Sequence, residues 1–436
     1  MTNKSGFPVF LLVSFCVLLV LSCGKNSYYN SDYFSVAQIN AKELIEPVYG
    51  DQDSASQTAA KGANDFAFRL SAALLENTGS KNFVCSPYSA WLPLAALLNA
   101  TNAENKSALL AALGAAGIGE ADVNKAASRM LYDLNNLRRK DEKDYYNPLK
   151  IANAIFVGNN VTLRSSFAQT FMDYYRGSSV NVDFSSQSAV DAVNRWASDN
   201  TDGLIRNLVQ KFEQDTVAAI ANAIYFSDRW EWEFSAAQTK EGVFYGPDGN
   251  GTASYMLREG DAQTYYEDNK VQAMPLRFKS GGGLYIILPK SGSAAGFLSS
   301  MTSKDFDAIQ NNSVQATGKL LLPRFSIEGD TINLKKALEK LGVPLFNEAT
   351  APLTGGLIQE GLPVFLSDAM QKALIKVDEK GTTAAAVTLM TAAATGMPVP
   401  TTPFEMICNK PFVFILYDYT YDGGNQILFT GVVNQP

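Results

Sequence analysis

The feature that most constrains this 436-residue chain is a change of pattern near Trp230, with helical spacing before it and strand-like runs after it. In the first part, apolar residues recur every three or four positions. This spacing predicts helices over 64–77, from Ser86-Pro87 onward, over 165–175 and over 189–198. Because the helices come first and most strands follow, the sequence favours an α+β fold over an alternating βαβ fold.

Short apolar segments bounded by turn residues predict the strands. The ten-residue apolar run 217–226 predicts a buried central strand, because a strand covered on both faces shows no polar alternation. Later segments predict further strands at 284–288, 319–325 and 412–417. We find no internal repeat and no composition break within 62–436, so we expect these residues to form one domain.

The first 23 residues form a separate unit. Residues 8–21 are almost wholly apolar, but these 14 residues are fewer than the roughly 20 that a membrane-spanning helix needs. The junction Leu21-Ser22-Cys23-Gly24 resembles a bacterial lipobox. We therefore expect 1–23 to be a lipoprotein signal peptide and Cys23 to be lipidated, with an ordinary cleaved signal as the alternative. The expected location is extracytoplasmic, anchored to a bacterial and preferably outer membrane, or secreted.

Residues 24–61 are rich in Ser, Asn, Tyr, Asp, Gln and Ala without sustained periodicity, which predicts a flexible tether. Two cysteines, Cys85 and Cys408, lie in apolar settings of the main body. They are interpreted as small buried hydrophobic residues, and the sequence leaves a disulfide between them open.

Histidine is absent from the whole chain. Its absence excludes Ser-His-Asp and Cys-His catalysis and histidine-ligated metals. The net charge is -7 and the basic residues are scattered, so no basic surface for nucleic acid is expected. Most hydrolase mechanisms are thereby excluded, and the resemblance described next implies a protein that is not an enzyme and that uses no metal and no cofactor.

Several segments, in this order along the chain, resemble the serpin family: 82–89 (NFVCSPYS), 193–196, 200–205, 222–234, 321–325 (LLPRF), 341–346 (LGVPLF) and 409–433. The resemblance covers about 62–436. It implies the serpin fold, in which helices pack around a large central mixed β-sheet with smaller sheets beside it. It also implies an exposed reactive-centre loop at about 380–403.

The resemblance further implies a suicide-substrate inhibitor of serine peptidases. In that mechanism the peptidase forms an acyl-enzyme on the loop, and the cleaved loop inserts into the central sheet. The expected partner is a target serine peptidase in covalent complex, with the membrane contacted through Cys23, and the protein is expected to be a monomer. The alternatives are a non-inhibitory or substrate-type serpin, or an inhibitor of papain-like cysteine peptidases.

Residues 382–389, which would insert first, contain no Pro, Gly or charged residue and have a composition suited to a strand. We call residues 379–386, which lead into and begin this segment, the hinge. Its side chains are mostly small, and overpacking a dense interior costs about 1–3 kcal/mol for each misfit. Bulky or charged hinges accompany non-inhibitory members of the family, so this hinge favours an inhibitor. The predicted hinge residues are Glu379, Gly381, Thr382, Ala384, Ala385 and Ala386.

The usual serpin spacing beyond Glu379 places the reactive bond between Thr395 and Gly396. Other registers give Ala394 or Met397, because the loop is longer than expected. All candidates are uncharged and the residues before them are small. They therefore suit an elastase-like or subtilisin-like peptidase better than a trypsin-like one.

A second set of residues falls where the family controls opening of the central sheet. These sheet-opening residues are Ser86, Ser89, Asn222, Trp230 and Gln371. Gln371 stands where many serpins have a histidine, and its amide keeps hydrogen-bonding capacity. For Trp230 the alternative is a plain core residue, because large aromatics in apolar strands are usually core.

Overall fold

The structure is a computed structural model. It describes residues 53–136 except 77, 149–358 except 160, 214 and 215, 364–366, 369–382 and 403–436, together with 38, 39, 44, 46 and 47. The predicted site positions Cys23, Ala384, Ala385, Ala386, Ala394, Thr395, Gly396 and Met397 therefore lie outside the described residues.

The helices of the described residues are α1 (Ser54–Leu75), α2 (Pro87–Leu97), α3 (Ala103–Ala112), α4 (Glu120–Asn136), α5 (Ser165–Tyr175), α6 (Gln187–Asn200), α7 (Ala294–Ser300), α8 (Ser303–Asn311) and α9 (Lys335–Lys340). The predicted helices correspond to α1, α2, α5 and α6. Helix α2 begins as its sequence indicates: the Ser86 side chain accepts a hydrogen bond from the Ser89 N–H, and Pro87 occupies the first turn.

Helix α1 starts at Ser54, within the segment 24–61 that was expected to be a tether. The Asp53 side chain caps the helix by accepting from the Ala55 N–H at 3.1 Å. Ala59 and Ala60 are fully buried, and a side chain at Gly62 would meet the Gly114 carbonyl oxygen at 2.4 Å. The predicted boundary was therefore wrong, because close packing through small residues has no large apolar side chain to signal it.

The strands of the described residues up to residue 289 are β1 (Gln38–Ile39), β2 (Phe83–Cys85), β3 (Leu149–Gly158), β4 (Thr162–Leu163), β5 (Gly177–Val182), β6 (Ala218–Phe226), β7 (Asp228–Arg229), β8 (Lys240–Gly246), β9 (Gly249–Glu267), β10 (Val271–Arg277) and β11 (Gly283–Pro289). Those that follow are β12 (Val314–Pro323), β13 (Phe325–Glu328), β14 (Ile332–Asn333), β15 (Leu357–Ile358), β16 (Met370–Gln371), β17 (Leu374–Val377), β18 (Gly381–Thr382), β19 (Phe404–Ile407), β20 (Phe412–Thr420) and β21 (Gly424–Val433). The strands predicted at 284–288 and 412–417 are confirmed, whereas the one predicted at 319–325 is divided at Arg324 between β12 and β13.

Two larger sheets organise these strands. The nine-stranded sheet has the order β19-β12-β9-β10-β11-β20-β21-β2, with β8 beside β9. Its ladders are antiparallel except that β12 and β19 run parallel. The four-stranded sheet has the order β1-β5-β3-β6. Shorter ladders join β13 to β17, β14 to β16, β4 to β15 and β7 to β18.

Strand β6 confirms the predicted strand at 217–226 but not its burial. It pairs with β3 along one edge, and of its residues only Ala221, Ala223 and Ile224 are buried, each with a small exposed fraction. The assignment as a buried central strand was wrong, because an apolar run does not reveal whether a second neighbouring strand is present. In the described structure β6 is an edge strand.

Helix α2 lies between the two larger sheets. It packs against β21 of the nine-stranded sheet and against β6 of the four-stranded sheet. Trp91 on this helix is fully buried, and its indole N–H donates to the Leu113 carbonyl at 3.0 Å. The first turn of α2 is thereby held beneath the exposed edge of β6.

Cys85 and Cys408 are both buried and both free. Burial raises the pKa of the Cys85 thiol to about 11 and raises that of Cys408 as well. The interpretation as small buried hydrophobic residues is confirmed, and the disulfide that the sequence left open is not formed.

Candidate functional site

The candidate site is a cleft between β6 on one side and β16 and β17 on the other, which we call the β6–β17 cleft. Among the described residues, no backbone ladder joins β6 to β16 or β17. Its walls are formed mainly by residues 220–226 of β6, 369–372 around β16 and 374–376 of β17, with Phe429 beneath them. The cleft therefore occupies the position of one further strand, which would join β6 to β17 in a single sheet.

Both walls of the cleft carry backbone groups outside any ladder of the described structure. Unpaired strand edges are templates for pairing with a further strand. The larger cavity in the cleft has a volume of about 90 Å³, which is room for several water molecules but not for a strand with its side chains. An inserting strand must therefore push the two walls apart.

The described part of the hinge closes one end of the cleft, which we call its top. Gly381 and Thr382 form β18 and pair antiparallel with Arg229 and Asp228. Just before them, the Trp230 N–H donates to the Lys380 carbonyl at 2.8 Å. The chain has thus already turned back from β17 and taken its first two residues into a ladder.

Gly381 is required by this turn. Its φ is +148°, and a side chain there would lie 2.0 Å from the Asp228 carbonyl oxygen. A residue with a Cβ would have to shift the hinge away from β7. The predicted hinge residue Gly381 therefore has a steric role in the described structure.

Glu379 lies in the same turn, and its residue is 7% exposed. Arg324 donates to both of its carboxylate oxygens at 2.8 and 2.9 Å through Nε, and Thr239 donates at 2.5 Å. Burial would raise the pKa of Glu379, but the hydrogen bonds from Arg324 and Thr239 outweigh it and lower the pKa. The charged carboxylate therefore ties the hinge to the strand ends around it.

Trp230 is fully buried and stacks on Phe278, with ring centroids 4.7 Å apart and planes at 7°. Its indole N–H donates to the Asp378 carbonyl at 2.8 Å. Trp230 is therefore a core residue, as one interpretation expected. Its indole N–H also binds the backbone where the hinge begins.

Two buried carboxylates lie beneath the top of the cleft. Asp228 is 2% exposed and Asp418 is 9% exposed. Burial, together with the charge of Asp228, raises the pKa of Asp418 to about 7. The strand that pairs with the hinge thus has a group beside it whose charge changes near neutral pH.

The polar cluster (Ser86, Ser89, Asn222 and Gln371) surrounds the larger cavity of the cleft. On one wall, the Ser86 N–H donates to Gln371 Oε1 at 2.9 Å, and Gln371 Nε2 donates back to the Ser86 carbonyl at 2.7 Å. This two-way bond joins the start of α2 to β16. The amide of Gln371 thus satisfies both backbone groups of Ser86.

On the other wall, the Ser89 hydroxyl donates to Asn222 Oδ1. Asn222 Nδ2 donates to Asn153 Oδ1 at 2.8 Å, and Asn153 Nδ2 donates to the Tyr175 carbonyl at 2.8 Å. This chain joins α2 to β6, β3 and the end of α5. The first turn of α2 therefore holds both walls of the cleft through neutral side chains.

The structure brings four predicted sheet-opening residues around one cavity, while Trp230 lies apart at the top. Sequence reasoning missed the partners Arg324, Thr239 and Asn153. Arg324 lies 55 positions from Glu379 in the sequence. No local sequence pattern indicates that the two side chains form an ion pair.

Comparisons with known proteins agree with this architecture. A profile of the family described as serpin (serine protease inhibitor) matches residues 61–436, and the chain belongs to the serpin family. The predicted family and the serpin fold are confirmed.

Sequence relatives include alpha-1-antitrypsin 1-4 of Mus musculus, 27% identical over 88% of this chain and 91% of that protein. Alpha-1-antitrypsin of Meriones unguiculatus is 30% identical over 88% of this chain and 92% of that protein. The similarity therefore spans most of both chains.

Solved structures give the same result. The native state of the thermophilic serpin tengpin superposes with a TM-score of 0.77 at 26% identity, covering 91% of this chain and 98% of that one. Human glycosylated kallistatin gives a TM-score of 0.75 at 26% identity, with 88% and 99% covered. Within the described residues of the present chain, every helix is too short or too polar to span a bilayer.

Proposed function

We propose that this chain is a single-use inhibitor of serine peptidases that traps its target by inserting the cleaved reactive-centre loop into the β6–β17 cleft. The observation that carries the proposal is the hinge, whose Gly381 and Thr382 already pair with β7 at the top of a cleft whose two walls, among the described residues, share no ladder. Extending that ladder downward would fill the missing strand position.

An inserted strand would form hydrogen bonds with both walls of the cleft, and these bonds would stabilise the inserted state. A strand of about 14 residues spans on the order of 45 Å at roughly 3.3 Å per residue. At about 1 kcal/mol net per hydrogen bond, pairing along both edges would stabilise the inserted state by on the order of 10 kcal/mol. The acylated peptidase, attached to the loop, is carried along and distorted before water releases it.

We propose Thr382, Ala384, Ala385 and Ala386 as the first residues to follow Gly381 into the cleft, because their small side chains fit a dense interior. For the reactive bond we propose Thr395-Gly396, with Ala394 and Met397 as the other registers. The small uncharged residues of 391–395 suit a shallow specificity pocket, so the proposed target is an elastase-like or subtilisin-like peptidase.

For the N-terminal part we propose a lipid anchor at Cys23, which would hold the domain outside the cytoplasm. The proposal rests on the lipobox-like junction alone. Labelling with a radioactive fatty acid would test it, because Cys23→Ser would abolish the label if Cys23 is the acceptor. A label that survives the substitution would show that a residue other than Cys23 carries the lipid.

The inhibitor proposal is tested by mixing residues 24–436 with elastase-type, subtilisin-type, trypsin-type and papain-type peptidases. We expect a complex that survives denaturing electrophoresis, and a released C-terminal peptide whose mass fixes the reactive bond. If every peptidase cuts the loop and stays active, the non-inhibitory or substrate-type alternative takes its place. A complex formed only with the papain-type enzyme would favour the cysteine-peptidase alternative.

A further inference from the structure

Trp232 is the most exposed large hydrophobic residue in the described part of the chain, at 61%. It lies two positions after Trp230, which is fully buried. A single exposed apolar side chain is ordinary on a protein surface, but tryptophan is enriched among the residues that dominate protein–protein contacts. What makes Trp232 a candidate contact residue is therefore its fixed backbone and its place beside the reactive-centre loop.

The backbone that carries Trp232 is held in place on three sides. The Glu231 N–H donates to the Arg277 carbonyl at 2.8 Å, and the Phe234 N–H donates to the Glu379 carbonyl at 2.8 Å. The Arg258 guanidinium donates to the Trp232 carbonyl and lies 4.3 Å from the centroid of the Phe234 ring. The indole is therefore presented from a fixed backbone, which lowers the entropy cost of binding.

Trp232 also lies between the two bases of the reactive-centre loop. On the N-terminal side, Thr382 pairs with Asp228, four residues before Trp232 and at most about 14 Å from it. On the C-terminal side, Met406 pairs with Leu320, which pairs with Arg258. Two strand spacings of about 4.8 Å separate Arg258 from Met406, so a peptidase holding the loop approaches this surface.

Two carboxylates and one guanidinium lie close to Trp232. Glu231 and Glu233 flank it in sequence, and Glu233 is exposed, while the Arg258 guanidinium contacts its backbone carbonyl. Carboxylates at the rim of an interface attract basic surfaces and increase association rates. An exposed aromatic between two carboxylates fits a partner surface with an apolar depression and nearby Lys or Arg side chains.

We propose that Trp232, with Glu231 and Glu233, is a second contact site for the target peptidase, outside the reactive-centre loop. The partner is a serine peptidase with a basic rim beside its substrate cleft. This inference rests on the proposed function for the choice of partner. The contact acts on association and plays no part in insertion of the cleaved loop.

The test uses the purified mature protein and an elastase-type serine peptidase, both active and as a variant whose nucleophilic serine is alanine. We expect Trp232→Ala to weaken binding of the inactive peptidase and to slow association with the active one by about 10-fold, with the stoichiometry of inhibition unchanged. Trp232→Phe should retain part of the effect. Tyr174→Ala, at a 39% exposed aromatic on α5, is the matched control and should change neither rate nor affinity.

Wild-type affinity and rate in Trp232→Ala would overturn the inference, as would a changed stoichiometry at an unchanged association rate. If Trp232→Ala folds poorly, the pair Glu231→Gln and Glu233→Gln provides a second test. This pair should weaken the salt dependence of association, and an unchanged salt dependence would count against the site. Should the inactive peptidase bind through Trp232 while the active one is never trapped, the contact site stands and the inhibitor proposal fails.

Discussion

The middle and the top of the β6–β17 cleft are held by different chemistry. In its middle, Ser86 and Gln371 bind one wall and Ser89 and Asn222 the other, all through hydroxyl, amide and backbone groups. None of these groups ionises in the neutral pH range. The strength of this part of the cleft should therefore be nearly independent of pH.

The top of the cleft is ionic instead. Glu379 is paired with Arg324, and two further carboxylates are buried: Asp228, in the strand β7 that receives the hinge, and Asp418. The pKa of Glu379 is lowered, while that of Asp418 is raised to about 7. One cleft thus combines neutral hydrogen bonds in its middle with charge-dependent contacts at the hinge.

The largest expected effect comes from blocking the hinge itself. Thr382→Arg places a long charged side chain at the first residue after Gly381, where insertion would have to bury it. We expect the chain to become a substrate, with at least about 10-fold more inhibitor cleaved per peptidase trapped, measured by titration of residual activity. Thr382→Ser is the control and should trap normally; trapping by the arginine variant would contradict insertion through this hinge.

The ion pair at the top gives the next largest effect. Glu379→Lys puts a second cation beside Arg324 in a buried turn, and we expect a loss of about 3 kcal/mol in the free energy of unfolding. Denaturation in urea measures it. Adding Arg324→Glu should recover part of the loss, whereas no recovery would mean that the pair is not the source of the effect.

Asp418 makes the top sensitive to pH in a predictable direction. Its folded-state pKa, about 7, lies above its ordinary value of 3.8, so the native state binds the proton more tightly than the unfolded state. Native stability therefore falls as the pH rises from about 4 to 7. Asp418→Asn should raise the free energy of unfolding above about pH 7 by on the order of 2–3 kcal/mol and change it little at about pH 4.

Unfolding curves at both pH values test Asp418. The carboxamide oxygen that Asp418→Asn introduces can still accept from the Tyr419 N–H, which donates to the Asp418 carboxylate at 2.8 Å in the wild-type chain. The local hydrogen bond is therefore kept while the charge is removed. Equal stabilisation at low and high pH would show that the effect of the substitution is packing rather than charge.

The middle and the top of the cleft also differ in how well the sequence predicted their residues and contacts. Ser86, Ser89, Asn222 and Gln371 were predicted as sheet-opening residues from family resemblance, and the structure places them around one cavity. Which atoms they bind was not predictable, since Gln371 meets Ser86 across 285 positions. At the top, the partner of Glu379 was missed because Arg324 reaches it only through the pairing of β13 with β17.

Local signals also had limits of a physical kind. Helix α5 was predicted with its observed bounds because large apolar residues mark its buried face. The start of α1 was missed because alanines and Gly62 pack without such residues. Trp230 was predicted as a sheet-opening residue, but Trp232 was not singled out, because two residues in an irregular turn need not share the environment that the alternation of a strand would give them.

The smallest expected effect comes from a substitution that introduces a charge in the middle of the cleft. Gln371→Glu keeps the shape of the side chain, but above about pH 5 the carboxylate cannot donate to the Ser86 carbonyl and faces it with like charge. We expect about 2 kcal/mol less stability at about pH 8, largely restored at about pH 4, where protonation returns a donor. Gln371→Ala is the control: it should lose stability without restoration at low pH, because it removes both hydrogen bonds at every pH. If both variants showed the same pH profile, the contrast between a neutral middle and an ionic top would be wrong, since the pH response would then come from elsewhere in the molecule.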